Sequence, residues 1–267
     1  MIRIVETAHG RMMLDDREKW IAGSLLHLGE YNFAEEYCLH KYVVPGTVVV
    51  DAGANLGAVA VPLAHAVGPR GVVVAVEPQR SVYGLLEGNV ALNSLRNVEC
   101  HRAALGDSLG MVLVRDMLAV DPDANTGGLD IREPADDGIP TPVVTVDSLV
   151  AGRPCSLLKI DVEGMEPDVI LGSVETIARC KPVVYLEVDR ASWRESCALL
   201  LSAGYRIWSH HPPLYRSANF NEAEHPWGGG NYVSVNAIAL HPSTHPDKPT
   251  VANLRGEITQ NEVDKDA

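Results

Sequence analysis

Asp51-Ala52-Gly53-Ala54-Asn55-Leu56-Gly57 sets two glycines four apart, directly after the apolar run Thr47 to Val50. Glycine at such a point lets the backbone turn sharply and approach a ligand where a Cβ would clash. A helix that starts after the turn presents free N–H groups. The spacing is not the G-x-G-x-x-G of a dinucleotide loop, and without Lys-Ser/Thr it is not a P-loop. Glu77 lies 26 residues beyond Asp51, at the end of the next apolar run, where an acid commonly accepts both hydroxyls of a ribose. Asp107 follows a third run, Val98 to Leu105, at a place suited to an adenine amino group. A ribose and an adenine without a pyrophosphate loop are parts of S-adenosylmethionine rather than of NAD or ATP. The residues expected to bind it are Asp51, Gly53, Asn55, Gly57, Glu77, Asp107 and Asp161.

The elements that must hold these residues alternate. Apolar runs at 47–50, 71–76, 98–105, 157–160 and 183–188 are separated by helical stretches, among them Leu56 to Val67 and Arg80 to Asn93 with Val82, Leu85, Leu86 and Val90 at helical spacing. Runs that are apolar throughout belong to a parallel sheet covered on both faces. Strand, helix, strand at this spacing is the pattern of a doubly wound α/β sheet. Residues 1–45 form a lead-in segment with a helix over Phe33 to Tyr42. Residues 46–240 form the main domain, with an excursion at 106–146, an acceptor loop at 209–230 and a closing antiparallel pair. Residues 241–267 form a polar tail.

Composition bounds the partners. The 22 Lys and Arg against 35 Asp and Glu leave a net charge of −13, which argues against a nucleic-acid partner. No apolar stretch approaches the roughly 20 residues that cross a bilayer, and Met1 to Thr7 lacks the apolar run of a secretory signal. Five scattered cysteines with no CxxC pair favour neither a disulfide framework nor a zinc cluster. A soluble cytoplasmic protein acting on a small molecule or glycan is expected, with the oligomeric state open.

Four blocks carry a resemblance to a known family: Pro45-Gly46 with Val48 to Gly57; Val76-Glu77-Pro78 with Leu86, Asn89 and Asn93, then Ala103 to Asp107; Leu158 to Glu166, which contains K-I-D-V-E-G; and Trp208 to Tyr215, continuing to Asn219-Phe220 and Ser234-Val235-Asn236. The chain resembles the FkbM family of S-adenosylmethionine-dependent methyltransferases. The resemblance implies a class I, Rossmann-like, mostly parallel seven-stranded sheet with helices on both faces and an antiparallel last strand.

Methyl transfer to a hydroxyl is an in-line displacement that depends on positioning and on removal of a proton. Asp161, at the carboxyl end of a central run, is the candidate base, and Gly164 lets the chain turn back over it. Asp161 with Glu187, and with Asp189 beyond it, would also suit magnesium or manganese, hard ions that prefer carboxylates. His210, at the family's W-x-H position, is a second candidate for proton transfer. Tyr31, Trp208, His211, Tyr215, Asn219 and Asn236 are candidate acceptor contacts, and Trp227 a further aromatic surface. The expected activity is O-methylation of a sugar or secondary metabolite. N-methylation of a small molecule or base, or a silent cofactor-binding module, are the other readings.

Overall fold

A computed structural model describes residues 1–120, 125–132, 136–188, 192–224 and 232–264. The chain opens on a hairpin, β1 (Ile2–Thr7) and β2 (Gly10–Asp15), followed by helices α1 (Ile21–Leu28) and α2 (Phe33–His40). Then the alternation sets in: β3 (Val48–Ala52), α3 (Ala60–Val67), β4 (Val72–Val76), α4 (Arg80–Leu92) and β5 (Val98–His101). An excursion follows, holding β6 (Ala104–Leu105), β7 (Gly110–Val114), the short helix α5 (Met117–Val120) and β8 (Ile139–Val144). The chain then returns through α6 (Val146–Val150), β9 (Cys155–Ile160), α7 (Glu166–Leu171), α8 (Val174–Cys180), β10 (Val183–Glu187) and α9 (Trp193–Ser202). It closes with β11 (Arg206–His210), β12 (Asn236–Leu240), β13 (Leu254–Ile258) and α10 (Gln260–Val263).

The main sheet runs in the order β13-β11-β12-β10-β9-β3-β4-β5. From β10 to β5 every pairing is parallel, whereas β12 runs antiparallel to both of its neighbours. The five residues of β3 are all buried, as a strand covered on both faces requires. Helices of the return segment pack Val169, Ile177 and Leu200 against one face, and α2 to α4 pack Leu39, Leu63 and Leu86 against the other. The fold is therefore the expected α/β Rossmann-like sheet with an antiparallel strand near its end.

Three features depart from the expectation. The sheet has eight strands, because Leu254–Ile258 of the polar tail pairs with β11. Thr259 then opens α10 with a capping box, and Val263 is buried against the core. The alternation of Leu254 and Ile258 with polar residues is a weak strand signal, and an edge strand needs no more. The lead-in segment contains a hairpin, clamped by Asn89 of α4. The Asn89 side chain accepts from Met13 N and donates to Met13 O and Leu56 O, so one buried amide joins the hairpin to the loop after β3. The excursion is a separate three-stranded sheet in the order β6-β8-β7. No helix among the described residues is long and apolar enough to cross a membrane. All five cysteines are free.

Candidate active site

β3 lies where the winding reverses: β4 and β5 continue to one side of it, and β9 and β10 to the other. In open α/β sheets the ligand crevice opens at that switch, beyond the carboxyl ends of the strands. A cavity of about 350 Å³ opens there. Gly53, Asn55, Glu77 and Asp161 line it, joined by Glu163 and Glu187. The turn after β3 is held by Gly53 N and Ala54 N donating to Val76 O at 3.0 and 2.9 Å. Gly53 has φ +78°, and a Cβ there would stand 1.8 Å from the carbonyl oxygen of Asp161. The glycine is needed because two strand ends meet backbone to backbone.

Gly53→Ala is therefore expected to destabilise the protein by about 3 kcal/mol or more, combining left-handed strain with a clash against backbone. Gly46 also has a positive φ (+86°), but nothing lies within 4 Å of its Cβ position. Gly46→Ala should thus cost only the strain of roughly 1–2 kcal/mol. Chemical denaturation of the two variants measures the difference, and equal losses would show that the Asp161 contact is unimportant.

Glu77 is 3% exposed. Its Oε2 accepts from Asn55 N at 3.0 Å and its Oε1 from Gln79 N at 2.8 Å. Burial pushes its carboxyl up to about 8, although both backbone hydrogen bonds pull the other way. Val76, Pro78, Ala104 and Leu105 supply apolar walls beside it, and Gln79, Asn125 and Thr126 supply polar edges. Gln79 Nε2 donates to Thr126 O at 2.7 Å, and Asn55 Nδ2 donates to Thr126 Oγ1 at 3.1 Å. A segment of the excursion is thereby pinned over the crevice. A buried carboxylate, a slot with apolar walls and amide groups at its edge fit an adenosine.

The residues after β9 make the opposite wall. Asp161 N donates to Ala52 O at 3.1 Å. Glu163 and Gly164 both take positive φ (+54° and +97°), which folds the chain back over the cavity. Glu166 secures that turn, accepting from Gly164 N at 3.0 Å and from Ser192 Oγ at 2.7 Å. Asp161, Glu163 and Glu187 each offer a carboxylate oxygen, all within 4.8 Å of one another. Asp189 lies outside the described residues; among the described residues the acid that joins Asp161 and Glu187 is Glu163. No lysine or arginine is among the described residues that line the cavity.

Several expected site residues sit elsewhere. Asp51 is fully buried beneath the floor, and Gly57 packs against Leu86 of α4. Asp107 is exposed and accepts from Ser108 Oγ, because the chain has already turned into the small sheet; Ala103 to Leu105 line the cavity instead. His210 is 1% exposed, its Nδ1 sharing a hydrogen bond of 2.9 Å with Tyr185 Oη, and burial pushes its ring down to about 4. It does not reach the cavity. Trp208 falls on the same side of β11, in the core with Leu39 and Leu63. His211 pairs with Ser209, Asn219 braces its own loop through Arg216 O and Ala223, and Asn236 donates to Ser234 Oγ. Tyr215 is likewise not in the lining, and Trp227 lies outside the described residues. Tyr31 does line the cavity, at its inner wall. The outer wall is Trp20, Ile21, Leu129, Ile131, Leu214 and Val233. No chemical signal in the sequence marks these apolar residues, which come from four separate segments.

A strand-end cavity holding a ribose-type acid, a glycine turn and an acidic block on a doubly wound sheet is the arrangement of a class I methyltransferase. A family model described as the methyltransferase FkbM domain matches residues 51–207, and the chain belongs to the FkbM family of S-adenosylmethionine-dependent methyltransferases. Among solved structures, it is similar to the methyltransferase FkbM from Methylobacillus flagellatus at 16% identity and TM-score 0.49, over 84% of this chain and 55% of that one. The chain thus spans about half the length of that relative. It is also similar to a SAM-dependent O-methyltransferase from Thermotoga maritima at 15% identity and TM-score 0.44, over 90% of this chain and 77% of that one. A third likeness is to fibrillarin from Aeropyrum pernix with natively bound S-adenosyl-L-methionine, at 13% identity and TM-score 0.43, over 90% and 82%. No curated protein matches the chain.

Proposed function

We propose that this chain moves a methyl group from S-adenosylmethionine to a neutral hydroxyl on a secondary metabolite or sugar, with Asp161 as the base. One observation carries the reading: Glu77 and Asp161, from the carboxyl ends of β4 and β9, line one cavity on either side of the Gly53 turn. The sulfonium, when bound, supplies an electrophilic methyl group. Glu77 would hold the ribose hydroxyls, and Gln79 and Thr126 would meet the adenine edge. As the acceptor oxygen bonds to the methyl carbon and the carbon–sulfur bond breaks, Asp161 takes the hydroxyl proton and later yields it to water. The cavity walls contribute by holding the two reactants in line.

Charge narrows the acceptor. Three carboxyl groups besides Glu77, those of Asp161, Glu163 and Glu187, face a cavity whose described lining holds no lysine or arginine. Such a field suits a sulfonium and opposes an acceptor bearing phosphate or carboxylate. The apolar outer wall favours an acceptor with one apolar face over a fully hydroxylated one. The same acids would also suit an ammonium, which keeps methylation of a small-molecule amine as a second reading. Panels of neutral alcohols, sugars and amines, with mass spectrometry for a gain of one methyl group, separate the two. Transfer to an alcohol oxygen is expected. Transfer confined to amines would replace this reading with the second, and transfer to phosphorylated acceptors would contradict the charge argument.

A further inference from the structure

Beneath the cavity floor lies a lysine that methyl transfer, as described so far, does not use. Lys159 stands two residues before Asp161 on β9, and the register sets it directly opposite Asp51 of β3. Its side chain is 4% exposed, that of Asp51 is 0% exposed, and that of Asp161 is 40% exposed. Lys159 Nζ lies 3.2 Å from Asp51 Oδ1 and donates to Asp161 Oδ2 at 3.3 Å. Burial alone would push this ammonium down, but Asp51 first, then Asp161 and Glu35, outweigh it and hold it well above its ordinary value.

A lysine that served only to neutralise Asp51 would need one partner. This one is shared between two strands: to one side the buried acid that precedes the Gly53 turn, to the other the acid that faces the cavity. An unconstrained aspartate with a half-open side chain has several rotamers, whereas a charge-assisted hydrogen bond selects one. Resting on the reading of Asp161 as the base, we propose that Lys159 is a positioning residue. Its ammonium ties the Asp161 carboxylate to the buried Asp51, so that the proton acceptor and the glycine turn keep one geometry across the β3–β9 seam.

The test must separate positioning from plain charge compensation. Lys159→Met alone strands Asp51 as a buried unpaired charge and is expected to lose the fold. Asp51→Asn with Lys159→Met removes both members of the buried pair and gives a neutral background. Asp161→Asn is then made in the parent and in that background, and thermal midpoints are measured with neither cofactor nor acceptor present. The proposal expects Asp161→Asn to lower the midpoint by about 2–4 °C in the parent and to leave it unchanged or raised in the neutral background. Equal shifts in both would overturn it. In a second arm, with S-adenosylmethionine and an alcohol methylated by the parent, the neutral background should keep KM for the cofactor within about twofold while kcat falls about tenfold or more. Parental kcat in that background would overturn the positioning role even if the midpoints were coupled. The thermal cycle needs no turnover, so its failure removes Lys159 alone, whereas a parent that methylates no alcohol removes the O-methylation reading.

Discussion

Asp161→Asn is expected to lower turnover of an alcohol acceptor by about 10²–10⁴-fold, the usual contribution of a positioned base. Asparagine keeps the shape of the side chain and can still occupy the space beside Lys159, but it cannot take a proton. The change should fall on kcat and on kcat/KM alike, because the lost interaction develops only as the oxygen attacks. S-adenosylhomocysteine binding, followed by calorimetry, should stay within a few-fold of the parent and show that the cavity is intact. Steady-state kinetics with product detection measures the rest. Full activity would remove Asp161 from the mechanism and leave positioning as the source of rate. The cluster of Asp161, Glu163 and Glu187 calls for a parallel measurement with a chelator. With Lys159 already donating to Asp161, EDTA is expected to leave turnover unchanged. Activity lost to EDTA, restored by magnesium or manganese and absent in Glu187→Gln would show that the acids share an ion.

Glu77→Ala is expected to weaken S-adenosylhomocysteine binding by about 1–3 kcal/mol, since hydrogen bonds from ribose to a carboxylate would be lost. That is a rise in Kd of roughly 5- to 150-fold. The pH dependence carries a sign. Ribose hydroxyls donate to the ionised carboxylate, and burial has raised Glu77 to about 8. Affinity in the parent should therefore strengthen as pH rises through 8. Glu77→Gln should flatten that dependence, and calorimetry at a series of pH values reads both. Stability runs the opposite way for this group. The folded form keeps the Glu77 proton up to about 8, while the unfolded chain releases it near its ordinary 4.5. Across that window the unfolded state binds fewer protons, so this group's contribution to stability falls as pH rises. A parent whose affinity for the cofactor product falls on going from pH 6.5 to 9 would contradict the assignment of Glu77 to the ribose.

Much of this molecule was legible as text. The runs at 47–50, 71–76, 157–160 and 183–188 are dominated by apolar residues without the apolar/polar alternation of a half-exposed strand, the pattern of strands buried on both faces, and they form parallel strands of the sheet. Gly53, Asn55, Glu77 and Asp161 could be placed because strand ends in such a sheet share one rim, so local position along the chain already implied proximity in space. Of the candidate acceptor contacts, Tyr31 lines the cavity, a placement that no local pattern in the lead-in segment specifies. What depended on tertiary structure was the direction of side chains beyond those strand ends. Trp208 and His210 are chemically suited to a binding site, but alternation along β11 turns both into the core, where His210 meets Tyr185. Asp107 stood at a plausible spacing, yet the chain leaves the main sheet one element earlier and carries it to the surface. Leu254–Ile258 looked like a tail because an edge strand buries too little to leave an apolar pattern. By sequence Asp51 reads as a cofactor contact, and Lys159 only as part of K-I-D-V-E-G. Their partnership rests on the register of two strands more than 100 residues apart in sequence, which sets an ammonium between two carboxylates. Sequence spacing specifies which residues end a strand, because backbone periodicity is local. Which of them face the cavity, the core or each other is settled only when distant strands pair.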